Sequence, residues 1–115
     1  MNFMINTVTG ENAITTEDGQ TVYDRMTPEL RANHSVVLDF SGVTVIASPF
    51  FNAAIGQLLK DFSADDLNRL LIVRNLVPAG VDVLVRVIEN SRKYYASPDY
   101  QEAQKKVLRE LAEED

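Results

Sequence analysis

The chain has no cysteine, no tryptophan, a single histidine and only five glycines in 115 residues. Without cysteine it has no thiol nucleophile, no thiolate metal ligand and no disulfide framework, which fits a reducing compartment. The one histidine, His34, has no partner at the spacing of a metal site or catalytic triad and reads as a surface residue at a helix end, where a cation suits the dipole. The glycines are isolated, so no phosphate-cradling loop or dinucleotide fingerprint is present, and an HExxH element is absent too. Gly19, Gly42, Gly56 and Gly80 read instead as helix-start, turn and close-packing positions. No apolar run approaches the ~20 residues of a membrane span, and residues 1–10 lack the basic start and apolar stretch of a leader. The expected location is the cytoplasm. Positive charge is also scarce: eleven basic against seventeen acidic residues leave a formal charge of −6, which opposes phosphate backbones and anionic lipid. The two basic groups, Arg86, Arg92, Lys93 and Lys105, Lys106, Arg109, have Glu89, Glu102 and Glu110 spaced to pair with them. The expectation is therefore no metal, no cofactor, no nucleic acid, no membrane and no enzymatic activity.

What the chain does have is a hydrophobic content of 45%, enough for one domain with its own core. The reading places that domain over residues 1–112, with Glu113 to Asp115 as a frayed acidic tail. Asn2 to Val8 and Ala13 to Thr15, separated by Thr9 to Asn12, read as a hairpin. Thr16, followed by Glu17 and Asp18, marks a helix start; Pro28 then leaves either two short helices or one kinked one, ending near Asn33 and His34. Val36 to Leu38 is continuously apolar, the pattern of a parallel strand covered on both faces, and Asp39 to Gly42 is its turn. Ser48 and Pro49 stand where an N-cap and first helical residue belong, with the helix running on toward Phe62. Ser63 with Asp66 reads as a capped turn, Leu70 to Arg74 as a buried strand, and Pro78 as a further helix start. Val81, Leu84, Val85 and Ile88 recur at helical spacing as that helix's sheet-facing stripe. Tyr94 and Tyr95 read as an edge strand or connector. Ser97, Pro98 and Asp99 open a last helix with Tyr100, Ala103, Val107 and Leu111 on one face. The pattern is α/β, bordering on α+β.

The order of these elements and the stretch SVVLDFSGVTVIASPFFNAAIGQLL, Ser35 to Leu59, resemble a STAS domain (sulphate transporter and anti-sigma-factor antagonist). The phrase Ser48, Pro49, Phe50, Phe51, Asn52 looks most like the divergent, bacterial STAS-like group of unassigned function. The resemblance implies a small mixed sheet of four to five strands with helices mainly on one face. It also implies a regulatory protein–protein interaction module whose partner is an ATPase or kinase-like regulator. In the antagonists that this chain resembles, a serine at this helix start accepts phosphate within Asp-Ser-Ser-Gly. Here the corresponding residues are Ala47, Ser48, Pro49 and Phe50, so the acceptor place falls on Pro49, and Ser48 is the candidate phosphosite beside its reading as a cap.

The candidate partner-binding residues are thus Ser48, Pro49, Phe50, Phe51 and Asn52. Two adjacent phenylalanines on one helix cannot both be expected to face the core, which makes one of them an aromatic anchor candidate. Asp39 is expected to order its turn by accepting from the amides of Ser41 and Gly42. Two other expectations stand beside protein docking. One is binding of a small anion or nucleotide at the same helix start, and the other is a homodimer through the last helix.

Overall fold

The computed structural model describes residues 1–96. The elements in chain order are β1 (Asn2–Met4), α1 (Asn6–Thr9), β2 (Asn12–Ala13), α2 (Thr16–Arg31), β3 (Val36–Asp39), β4 (Val45–Ile46) and α3 (Ser48–Ala54), followed by a 3-10 helix (Gly56–Lys60), α4 (Ala64–Leu70), β5 (Leu71–Arg74) and α5 (Pro78–Ala96). This is the α/β class expected. Among the described residues five strands form two small sheets, β1-β3-β5 and β2-β4, and every pair is parallel.

The N-terminal hairpin is not formed. Thr7 Oγ1 donates to the Met4 carbonyl, and the amides of Val8 and Thr9 both reach the Ile5 carbonyl, so local bonds wind Asn6–Thr9 into one helical turn. Gly10, at φ 66°, ends that turn. β1 is then free to pair with β3, Phe3 beside Leu38, while Ala13 pairs with Ile46 in the second sheet. Parallel pairing needs a crossover, and α2 supplies it. Its N-cap is Thr15, one residue before the expected position, with the hydroxyl accepting from the Asp18 amide at 3.1 Å. Pro28 neither splits the helix nor starts a new one. Thr27 is buried, and instead of capping a second helix its hydroxyl bonds back to the Tyr23 carbonyl. Asn33 at φ 64° closes α2.

Side chains alternate across the sheet. Phe3, Val36 and Leu38 turn to the helix-covered face and are buried, whereas Met4 and Ile72 are exposed on the other and Val37 is half-buried. β3 is therefore closed on one face among the described residues, not on both, and β5 alternates likewise, starting one residue later than expected. The helix after Pro49 breaks at Ile55, where φ −123° leaves the helical range, and tightens into the 3-10 turn instead of running on to Phe62. Ser63 caps α4 by accepting from the Asp66 amide at 3.1 Å, as expected. Pro78 opens α5, but the helix continues through Tyr94 and Tyr95, which form no strand. Its stripe also turns out differently. Val87 is the residue fully in the core, Leu84 and Ile88 are partly buried, and Val81 and Val85 are 44% and 50% exposed. The expected last helix and acidic tail lie outside the described residues.

Candidate functional site

Asp39 stands at the carboxyl end of β3, where its Oδ1 accepts from the Ser41 amide (2.9 Å), the Ser41 hydroxyl (2.7 Å) and Asn75 Nδ2 (3.0 Å). The Asn75 amide, and after it the two Ser41 donors, hold this carboxyl below the usual carboxylate range. The turn-ordering role is as expected for Ser41. The contact missed by sequence reading is Asn75, at φ 60° just past β5, which fastens the ends of two neighbouring strands together. Asn after a strand is a familiar left-handed turn residue, but nothing in the chain pairs it with a residue 36 positions earlier.

Below this turn lies Phe40, and around it the two adjacent rings of α3. Phe40 to Phe50 is an edge contact with centroids 6.5 Å apart, Phe40 to Phe51 is 5.7 Å and Phe50 to Phe51 is 5.6 Å. Both Phe50 and Phe51 are fully buried, so neither is a surface anchor. The expectation failed because it assumed one buried face. Successive residues are about 100° apart on a helix, and α3 is covered on more than one side: α2 comes so close at Gly19 that an added Cβ would run into the Phe50 carbonyl oxygen. Ser48 is not the cap either. Ala47 holds the N-cap place with no side-chain bond, and Ser48 and Pro49 are the first two helical residues. Ser48, Pro49 and Asn52 are exposed.

Pro49 and Asn52 join a groove that no single segment announces, and Ser48 precedes Pro49 without lining it. One shallow cleft of about 400 Å³ is lined by Thr16, Gln20, Pro49, Asn52, Ala53 and Gln57. A second, of about 420 Å³, takes in Asn52, Gly56, Gln57, Asn90, Ser91 and the two tyrosines. They share Asn52 and Gln57, so α2, α3, the 3-10 turn and α5 contribute to one surface. Gln57 Nε2 donates to Gln20 Oε1 (2.9 Å) and to the Ala53 carbonyl (2.6 Å), and Gln20 in turn donates to Asp24 (2.9 Å). At one end Tyr94 and Tyr95 meet edge to face at 4.9 Å. Burial, then the neighbouring Tyr94, pushes the Tyr95 hydroxyl above its usual range. Among the described residues neither cleft is lined by a carboxylate, lysine or arginine, although the chain as a whole carries −6.

The other chemistry-bearing residues lie elsewhere. His34 pairs with Glu29 at 2.9 Å on the exposed end of α2. Among the described residues no three His, Cys, Asp or Glu side chains converge as a metal site, and no helix is long and apolar enough to cross a membrane.

A family model described as "STAS-like domain of unknown function (DUF4325)" matches residues 18–81. The matched span runs from the first turn of α2 to the first turn of α5 and includes Asp39, Ser48 and Asn52. No curated protein and no solved structure matches. With more than half of its length matched, and with an α/β architecture as the resemblance implied, the chain belongs to the STAS-like family of unknown function.

Proposed function

We propose that this domain is a non-enzymatic regulatory module that docks a protein partner on the uncharged groove centred on Asn52, with Ser48 and Pro49 at its edge. Membership of a STAS-like family fits a regulatory module in general. The observation that carries the finer reading is the groove's composition: amides, hydroxyls and two tyrosines, contributed by four elements and, among the described residues, free of fixed charge. Side chains of this kind recognise peptide groups and polar side chains through hydrogen bonds, with tyrosine adding apolar area at low entropic cost. Among the described residues a phosphate or nucleotide would find no cation lining either cleft, so protein docking stands ahead of anion binding.

Ser48 supports a second element of this reading. Its hydroxyl is exposed and makes no hydrogen bond among the described residues, because the capping role falls to Ala47. Ser48 is then a modification site at the edge of the docking surface. A phosphate would bring about −1.5 to −2 charges there, and a partner fitted to a neutral groove would lose affinity.

The test is capture from the native cell with wild type, Asn52→Arg and Ser48→Asp as baits and Arg69→Glu as the off-surface control, followed by titration of the retained protein. Expected is a partner retained by wild type and Arg69→Glu but lost by Asn52→Arg. Equal affinity for all four folded proteins refutes the surface. Phosphosite mapping then decides Ser48, an unmodified serine together with undiminished binding by Ser48→Asp excluding the switch.

A further inference from the structure

We infer that Gln57 decides what the groove accepts, an inference that rests on the docking function proposed above. Gln57 is held as a hydrogen-bond acceptor only, and the partner segment it selects is an extended main chain that brings an amide N–H to it. Gln57 lies in the 3-10 turn, is half-buried and lines both clefts. A primary amide carries two donor hydrogens and one acceptor oxygen, and here both hydrogens are engaged. One goes to Gln20 Oε1 at 2.9 Å and the other to the Ala53 carbonyl at 2.6 Å. Ala53 is in the last turn of α3, where carbonyls have no partner within the helix and hold a side-chain amide that reaches them.

Two neighbours fix which way this amide faces. Asp24 accepts from Nε2 of Gln20 at 2.9 Å, and an ionised carboxylate can only accept, so Gln20 turns its oxygen toward Gln57. Reversing the Gln57 amide would then set its oxygen against two other oxygens. Gln57 Oε1 itself takes part in no hydrogen bond, and among the described residues no buried side-chain oxygen is left without a partner. This oxygen is therefore open to the groove. Asn52 lines both clefts as well, is exposed and makes no hydrogen bond among the described residues, so its amide is free to donate. An acceptor that cannot reverse, beside an amide that can donate, complements the N–H and C=O of a main chain. The clefts, about 400 and 420 Å³ and joined at these two residues, give room for a length of chain and not just one side chain.

Side-chain amide hydrogen exchange tests the arrangement in the free protein. Both Gln57 Nε2 protons should exchange about fivefold more slowly than those of Asn52, the factor that one net hydrogen bond supplies, and should speed up in Gln20→Ala. Equal rates at Gln57 and Asn52 overturn the inference. The binding arm uses the protein retained by wild type and lost by Asn52→Arg. Gln57→Met, checked for folding by its methyl spectrum, should bind it about tenfold more weakly. Gln57→Glu, which keeps the acceptor, should bind no more weakly than wild type. A comparable loss in both variants means that Gln57 donates, and overturns the inference. A synthetic peptide of that protein's docking segment, with single amides replaced by esters, then identifies the donor. One ester should weaken binding to wild type about tenfold and leave binding to Gln57→Met unchanged. If no ester position couples to Gln57, the donor is a side chain and the inference falls. Undiminished capture by Asn52→Arg refutes docking on this groove, and selection by Gln57 with it. Loss by Asn52→Arg with no effect of Gln57→Met leaves docking standing and overturns selection by Gln57 alone.

Discussion

Gly19→Ala tests the packing on which the docking surface depends. Gly19 lies in the second turn of α2, and a Cβ there would run into the Phe50 carbonyl oxygen and come within 2.8 Å of the Ala53 Cβ and 3.2 Å of the Ala54 amide. Two of these three atoms are backbone of α3, so no rotamer change relieves the clash; the helices must separate. Helix propensity works the other way, favouring alanine by up to ~1 kcal/mol. Overpacking costs about 1–3 kcal/mol, and an obstacle made of backbone puts this site at the upper end. The net expectation is a loss of about 2 kcal/mol, or roughly 8 °C in Tm for a domain of this size. Gly80→Ala is the internal control. Its nearest obstacles, Leu76 Cδ1 at 2.7 Å and Ile46 Cδ1 at 2.8 Å, are ends of flexible side chains, so the two terms should cancel to within ~1 kcal/mol. Thermal and urea unfolding of the three proteins read the difference. A Gly19→Ala protein as stable as wild type, or more so, would show that the α2–α3 contact is not close-packed and would refute the reasoning.

Asp39 gives the pH dependence. Its carboxyl is held below the unfolded value of about 3.9, so the unfolded chain binds the proton more readily. The stability that the ionised group contributes is therefore full above about pH 4 and is lost as pH falls through the folded pKa. Against Asp39→Asn, wild type should hold a constant advantage from pH 7 to pH 5 that narrows below pH 4 in urea titrations; an advantage that widens in acid contradicts the assignment. Phe51→Ala removes a fully buried ring in contact with Phe40 and Phe50 and should cost about 3–5 kcal/mol; a loss below 1 kcal/mol in urea unfolding would place the ring at the surface after all. Thr15→Ala deletes the cap on the Asp18 amide and should cost about 1 kcal/mol, whereas Thr16→Ala should change stability little, a ranking that calorimetry can reverse or uphold.

Much of the core was legible because it is local. The apolar run at Val36, the cap-and-acid signal near Thr15, the Ser63 cap and the proline of α5 are each written within a few residues, and each formed close to its expected place. The failures are where a distant partner decides. Asn2 to Val8 has the composition of a strand with a turn beyond it, but only the pairing with β3 selects three residues of strand and lets the next four coil. Val81 and Val85 carry the helical period that marks a buried stripe, and the period is silent about which element covers it. At Pro28 the sequence left two outcomes open, and the burial of Thr27 with its bond to Tyr23 selected one helix.

The site was half legible for the same reason. Ser48 to Asn52 drew attention through an unusual local phrase, yet the structure divides that phrase, sending both phenylalanines inward and leaving Ser48, Pro49 and Asn52 outside. The groove's other members, Thr16, Gln20, Gln57 and Asn90, are ordinary polar residues scattered over four elements, and no motif links them before the chain folds. Their spacing is set beneath them, where Gly19 brings the α2 backbone against the backbone of α3 at Phe50 and Ala54. A groove built across that contact inherits its geometry. Gly19→Ala should therefore weaken partner binding in protein that remains folded, although Gly19 is buried and outside the docking surface, while Gly80→Ala should not. Equal binding by the two variants would mean that the partner reads Ser48, Pro49 and Asn52 on α3 alone and does not bridge the two helices.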